Sequence, residues 1–317
     1  MQTPDTTEDM LDSLADTGRA VARFEHLDQT YRLKLRGFVD LAMTPVFVNL
    51  HRQVDYFALR REGITAVMYF LDFQAAPDKL VFGRPVAVHH DTRLYRARTP
   101  DFRRPAGPPV ERLLLVSEVE MRGRAWQGAT ETLGFDAGES PEVSAGRARL
   151  LQVVTRPLAP AGGRRITEPP GQLARLRVHP WDEPYPTEAH LGELPEGFAA
   201  VDTGLATEHG VWGLPNTDIN QHVNTLEFIM GLENHLSRQL HAAGLPLARH
   251  RTLRGRMVFR KPSFAGEPYV LRGGLFRRGA ATRLQAGFHR VRDGAEDAAP
   301  AVFGLLEGLL PDEGEAP

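Results

Sequence analysis

The stretch from residue 156 to residue 200 constrains this chain more than any other. It begins Arg156-Pro157-Leu158-Ala159-Pro160, passes through Pro169-Pro170-Gly171, and ends in His179-Pro180-Trp181-Asp182-Glu183-Pro184-Tyr185-Pro186. Proline fixes φ and has no N–H to donate, so a run this rich in it fits neither a helix interior nor a central strand. It reads as a linker or a strap lying over the surface, and it divides the 317 residues into two halves of similar size. Each half is long enough to bury a core of its own.

The halves read alike. In the second, residues 210–214 suggest a short strand, and a helix runs from about 223 to 242. Leu226, Ile229, Met230, Leu232, Leu236 and Leu240 give that helix an apolar face at helical spacing, and Gly244 closes it. Strand patterns follow at 252–259, 269–277, 282–291 and 301–310. In the first half a strand near 31–39 leads to Thr44-Pro45, where a helix over 46–62 begins and Gly63 ends it. Strands are expected at 65–73, 86–98, 112–122 and 126–135. Residues 1–18 read as a frayed acidic leader and 311–317 as a tail.

Two local echoes support a duplication. Asn49-x-His51-x-Gln53 parallels Asn220-x-His222-x-Asn224, and Gly83-Arg84-Pro85 parallels Gly266-Glu267-Pro268. The expected fold class is α+β. Each unit, 19–155 and 201–310, would be an antiparallel sheet curled around one long helix, with 156–200 between them. Pairing the units edge to edge would cover strand edges that otherwise invite aggregation.

Composition narrows the function. Lys+Arg 38 against Asp+Glu 40 leaves a net charge of −2, which disfavours a protein that grips nucleic acid through phosphates. The absence of Cys excludes disulfides, thiolate metal sites and a Cys nucleophile. No apolar run approaches the length of a membrane span. The amino terminus is acidic and polar where a signal peptide would be basic and then apolar, so a cytoplasmic protein is expected.

The chemistry concentrates in Asp218-Ile219-Asn220-Gln221-His222-Val223-Asn224, just ahead of the second helix. A helix start carries unpaired N–H groups and a partial positive charge, which suits a developing oxyanion. A carboxylate, an amide and an imidazole a few residues upstream can orient water and move protons. Any one of these residues, taken alone, reads as a cap or a surface group.

Together they resemble the signature of hotdog-fold thioesterases, closest to the double-hotdog acyl-ACP thioesterases. That resemblance implies a hydrolase of fatty acyl-ACP or acyl-CoA thioesters that needs no cofactor and no metal. The second unit would bear the active site, and the first would be non-catalytic and shape the acyl pocket. Asp218, Asn220 and His222 would be catalytic. The amides of Val223 and Asn224 would form the oxyanion hole, with Ser263 as a positioning group. The family places a Glu-Cys pair after an aromatic-Arg-Arg run, whereas this chain has Phe259-Arg260-Lys261-Pro262-Ser263. Attack by a water held by Asp218, or by Asp218 itself, remains. Hotdog hydratases space Asp and His five apart around a Pro; here the spacing is four, without the Pro. The alternative function is a non-hydrolytic protein that binds or processes acyl thioesters.

Two lesser signals complete the reading. His89-His90-Asp91 lies in a strand pattern, where adjacent side chains point to opposite faces and do not converge on one ion. Arg254, Arg256, Arg260 and Lys261 would form a basic surface that steers an acidic carrier protein or the phosphates of coenzyme A. The expected partners are the acyl thioester itself and, as one assembly the sequence allows, a second copy of the chain.

Overall fold

The computed structural model describes residues 10–28, 30–100, 107–126 and 140–310. The first half holds β1 (Leu14–Val21), α1 (Leu35–Gln53), α2 (Tyr56–Arg61), β2 (Thr65–Ala75), β3 (Pro85–Thr99), β4 (Val110–Arg124) and β5 (Glu142–Thr155). The proline-rich stretch contributes β6 (Val178–Pro180), α3 (Glu188–Gly192) and β7 (Ala199–Ala200). The second half holds β8 (Thr207–Val211), α4 (Thr225–Ala242), β9 (Arg251–Phe259), β10 (Pro268–Arg278), β11 (Ala281–Arg292), β12 (Ala295–Glu296) and β13 (Val302–Leu309).

The strands make one 13-stranded sheet, antiparallel except where β6 joins β3. Its order contains the same unit twice. Strands β1-β3-β4-β5-β2 lie on one side and β8-β10-β11-β13-β9 on the other, joined through antiparallel β2 and β9. Phe70 faces Val258 and Gln74 faces Arg254 across that seam. Neither of the two joined strands is left as an open edge.

Side-chain alternation sends each strand to two different cores. On one face Leu71, Phe73, Val88, Leu113, Met257, Leu284 and Leu306 pack with Phe38, Leu41 and Val46 of α1 and with Phe228, Leu232 and Leu236 of α4. On the other face Phe70, Leu114, Val116, Val258 and Leu305 pack against Tyr185 and Leu191, with Trp181 at the margin. The later part of the proline-rich stretch, 181–191, therefore crosses the sheet face opposite the two long helices, whereas Ile166, Leu173 and Leu176 pack into the helix-side core. It is anchored there by Arg149–Glu183 and Arg260–Glu188 ion pairs.

The first half departs from its sequence reading in four places. The helix expected at 46–62 starts at Leu35, ends at Gln53 and is followed by the separate α2. Pro45 sits inside α1 rather than at its start, against Gly18 of β1, where an added Cβ would lie 2.4 Å from that of Pro45. The strand expected at 31–39 is thus replaced by the start of this helix. Residues 14–18 of the supposed leader belong to β1, fully paired with β3. The strand expected at 126–135 falls largely outside the described residues. The partner of β4 is β5, at Glu142–Thr155.

Candidate active site

Both units lead into their long helix through the same local structure, 190 residues apart. A one-turn 3-10 helix (Phe24–His26, Leu214–Asn216) is followed by an isolated bridge (Leu27 with Leu33, Thr217 with Val223). Inside each bridge one residue takes a left-handed backbone, Tyr31 at φ 62° and Gln221 at φ 65°. Each helix start is tied back to its 3-10 turn, Lys34 N–H to the His26 carbonyl and Asn224 N–H to the Asn216 carbonyl, both 2.9 Å. The registers meet again at the next strand, where the Gly83 N–H donates to Ala22 and the Gly266 N–H to Trp212.

This register corrects the first echo. Asn49 and His51 lie in the last turns of α1, not ahead of it, so their match to Asn220 and His222 has no structural counterpart. The first-unit counterparts of Asp218, Asn220 and His222 are Asp28, Thr30 and Arg32. The Gly83/Gly266 echo is real: both glycines are left-handed, at φ 71° and 84°, immediately before β3 and β10.

In the second unit the turn brings Asp218 and His222 together, with Asp218 Oδ1 3.8 Å from His222 Nδ1. Asp218 Oδ1 also accepts the Asn220 N–H at 2.8 Å, an Asx turn that holds the loop. His222 is 41% exposed at its side chain and Asp218 26%, so both reach solvent. Asn220 is exposed and contributes this backbone N–H. Ser263 is 2% exposed, its hydroxyl has no hydrogen-bond partner, and its carbonyl accepts the Val223 N–H at 2.8 Å. The strand end that carries it is fixed by Arg290, whose Nη1 donates to the Pro262 carbonyl at 2.6 Å.

The oxyanion donors need correction. The Val223 N–H is taken by Ser263 and the Asn224 N–H by Asn216, so neither amide is free. Asn224 is instead the helix cap, its Oδ1 accepting the Leu226 N–H at 2.9 Å. Among the described residues the Thr225 N–H, the first of α4, has no hydrogen-bond partner. The ordinary caps thus stop one amide short of closing the helix end.

The two helix starts differ in what covers them. The α1 cap, Lys34, makes no side-chain cap bond and no acid lies in its first turn. Glu233, reaching across from α4, faces the N–H groups of Leu35 and Arg36 instead. Burial pushes its carboxyl up to about 7, against the pull of Lys34 and of those N–H groups. The matching position on α1 is Met43, which offers no carboxylate to α4.

The basic surface expected around β9 is not a free cationic field. Arg254 pairs with Asp72 across the seam, Arg256 with Glu307 at 3.2 Å, Arg260 with Glu188 at 2.7 Å and Lys261 with Asp297 at 2.8 Å. Asp72 holds Arg254 above the ordinary guanidinium range. Arg254 and Arg256 project from the face opposite the helices, in a belt continued by the Arg149–Glu118 pair. His89 is exposed and bonded to Thr17, while His90 is buried on the other face. No group of side chains among the described residues is arranged to hold a metal ion. No described helix is long and apolar enough to cross a membrane.

Sequence reasoning missed Asn216 and Glu227. Asn216 Oδ1 accepts the Gly213 N–H at 2.7 Å, and its Nδ2 donates to Glu227 Oε2 at 2.7 Å. The signal was available: Asn224-x-x-Glu227 has the spacing of a capping box.

No family model matches the sequence, and no curated protein sequence matches it significantly. Solved structures do match over nearly the full length. A Lactobacillus plantarum protein described as an oleoyl thioesterase is 11% identical, at a TM-score of 0.60 over 95% of this chain and 98% of its own. The 12:0-ACP thioesterase of Umbellularia californica is 12% identical, at 0.58 over 94% and 98%. An acyl-ACP thioesterase of Bacteroides thetaiotaomicron is 14% identical, at 0.53 over 93% and 97%. The chain has the hotdog thioesterase fold in the arrangement of the acyl-ACP thioesterases.

Proposed function

We propose that this chain hydrolyses fatty acyl thioesters, carried on ACP or coenzyme A, to free acid and thiol. One observation carries the reading. Of two helix starts built on the same backbone, the first buries its imidazole, His26, against Asp40 at 3.0 Å, whereas the second presents a solvent-reaching imidazole beside a carboxylate, His222 with Asp218, next to the unpartnered Thr225 amide and the buried, unpartnered Ser263 hydroxyl. The likeness to acyl thioesterases of the same fold supports the substrate class.

In this mechanism the thioester carbonyl oxygen lies at the start of α4. The Thr225 N–H and the positive helix end stabilise the charge that forms there. Asp218 orients and deprotonates the attacking water, or attacks directly. His222 donates to the sulfur as the C–S bond breaks. Asn220 supplies the N–H that fixes the Asp218 carboxylate, and Ser263 holds the far side of the turn. The first unit provides the other wall of the acyl pocket and takes no part in bond breaking.

The direct test is thiol release from a panel of acyl-CoA and acyl-ACP substrates of graded chain length. Steady turnover on at least one member is expected. Binding of acyl thioesters without thiol release would instead favour the non-hydrolytic alternative.

A further inference from the structure

Beneath the first turn of α4 the second unit is filled with aromatic rings. Trp212 packs on Tyr269 at 4.3 Å between ring centroids, on Phe228 at 5.0 Å and on Phe288 at 5.5 Å. Phe228 and Phe288 lie 5.2 Å apart, and Trp212, Phe228 and Phe288 are all buried. The Trp212 indole N–H has no hydrogen-bond partner, so packing alone holds that ring. Two glycines clear the space. An added Cβ on Gly231 of α4 would fall 2.7 Å from the Phe288 ring, and one on Gly210 of β8 would fall 2.4 Å from the Tyr269 ring.

The first unit fills the same place with smaller groups. Counted from the paired turns, Trp212 and Phe228 correspond to Ala22 and Phe38; counted from Gly83 and Gly266, Tyr269 corresponds to Val86. Val88 faces Met121 as Leu271 faces Phe288, so Met121 is the counterpart of Phe288. Ala20 and Leu41 stand where the second unit has Gly210 and Gly231. One ring has become four, and the two positions that would crowd them carry glycine. The backbone around them is held alike, since the Ala22 and Trp212 carbonyls accept the Gly83 and Gly266 N–H groups, each at 2.7 Å. Trp212 is thereby tied to the loop that carries Ser263, and Phe228 lies in the first turn of α4, so the ring cluster adjoins the proposed reaction centre.

We propose that Trp212 and Phe288 determine which acyl groups this chain accepts: their rings close the space between α4 and its own sheet, turning an acyl chain whose carbonyl lies at the start of α4 away from the second unit and toward α1. An interior packed with touching rings admits a further group only by losing one of its own. Removing a ring leaves an apolar hole of ring size, and such a hole takes up a group like benzene. The wild-type chain therefore accepts a ring-bearing acyl group poorly, and loss of Phe288 or Trp212 relaxes that discrimination. The inference rests on the hydrolase reading above.

Phe288→Ala, Trp212→Ala and the milder Phe288→Leu, each in the full chain, test it with two acyl-CoAs, one linear and saturated and one ending in a phenyl ring. The ratio of kcat/KM for the phenyl-terminated over the linear substrate should rise about 10-fold or more in the two alanine variants, the scale on which an apolar pocket discriminates size. Phe288→Leu, which opens a smaller hole, should raise it by about threefold and carries the test if neither alanine variant folds. Rings that serve the core alone would lower the melting temperature and leave the ratio within about twofold of wild type in every variant that folds; that outcome overturns the proposal. If the wild-type chain releases thiol from no acyl thioester, the hydrolase reading fails on that ground. The wall is then decided by equilibrium binding of the same two acyl-CoAs, whose affinity ratio should shift in the same direction; an unchanged ratio overturns it.

Discussion

The chain builds the same turn ahead of a long helix twice and finishes it in two ways. Ahead of α1, His26 presses on Gly37, Asp28 accepts three hydrogen bonds, and Glu233 from the other unit faces the helix amides. Ahead of α4, the Asp218 carboxylate accepts one backbone bond and faces His222, and the Thr225 N–H stays unmatched. The first arrangement also sets an imidazole against a carboxylate, His26 with Asp40 at 3.0 Å, but that imidazole is buried and turned to the fold, its Nδ1 accepting the Arg23 N–H. The second leaves a carboxylate, an imidazole, an amide and a hydroxyl with capacity to spare, which stable packing alone would not select.

The largest expected effects break this comparison at its chemical end. His222→Ala and Asp218→Asn should each lower kcat by about 100-fold or more, the scale of a lost general acid or base. Asn at 218 still accepts the Asn220 N–H, so the loop survives and only the charge is lost. The matched changes Arg32→Ala and Asp28→Asn should leave kcat within about twofold. Equal effects at 28 and 218 would show that Asp218, like its twin, only shapes the turn.

The next effect is on stability and belongs to the closed copy. Gly37→Ala forces a methyl into the His26 backbone, an overpacking expected to cost about 1–3 kcal/mol. Denaturant unfolding would measure it. Glu227→Ala removes atoms at the matching place and should cost less. If Gly37→Ala is tolerated without loss, the two helix starts are not closed to different degrees.

Much of this was legible in the sequence, unevenly and for physical reasons. The second half reads correctly to within a residue or two at α4 and at β9, β10 and β11, because apolar periodicity and glycine punctuation agree there. The first half misleads at Pro45, a residue favoured at helix starts yet accommodated inside α1 against Gly18. Strand β1 escapes notice because it is largely exposed and so carries no apolar alternation. Asp218 and His222 are legible because they share one short turn. The state of the Val223 amide is not, since it depends on a carbonyl of Ser263 from a distant strand end. The pairing of Arg254 with Asp72 is hidden for the same reason, being made only when the two units meet at β2 and β9.

The smallest effect is a pH dependence, and it probes why α1 needs help from the other unit. The Glu233 carboxyl is raised from an ordinary value of 4.5 to about 7, chiefly by burial. A raised carboxyl favours the protonated folded state, so its stabilising contribution is complete below about pH 4.5 and is lost as pH rises through 7. Glu233→Gln does not titrate. Its melting temperature relative to wild type should therefore climb by a few degrees between pH 5 and pH 8, about 1 kcal/mol corresponding to roughly 2–4 °C in chains of this order of size. Scanning calorimetry of both proteins across that window reads the difference directly. A difference that stays flat would mean that Glu233 is not held in a desolvating contact. One that reverses, with the variant weaker at pH 8 than at pH 5, would mean that the charge on the α1 amides outweighs the burial. In that case the inter-unit carboxylate would be a true cap, and α4, for which the matching position on α1 holds Met43, would gain no such carboxylate from that position.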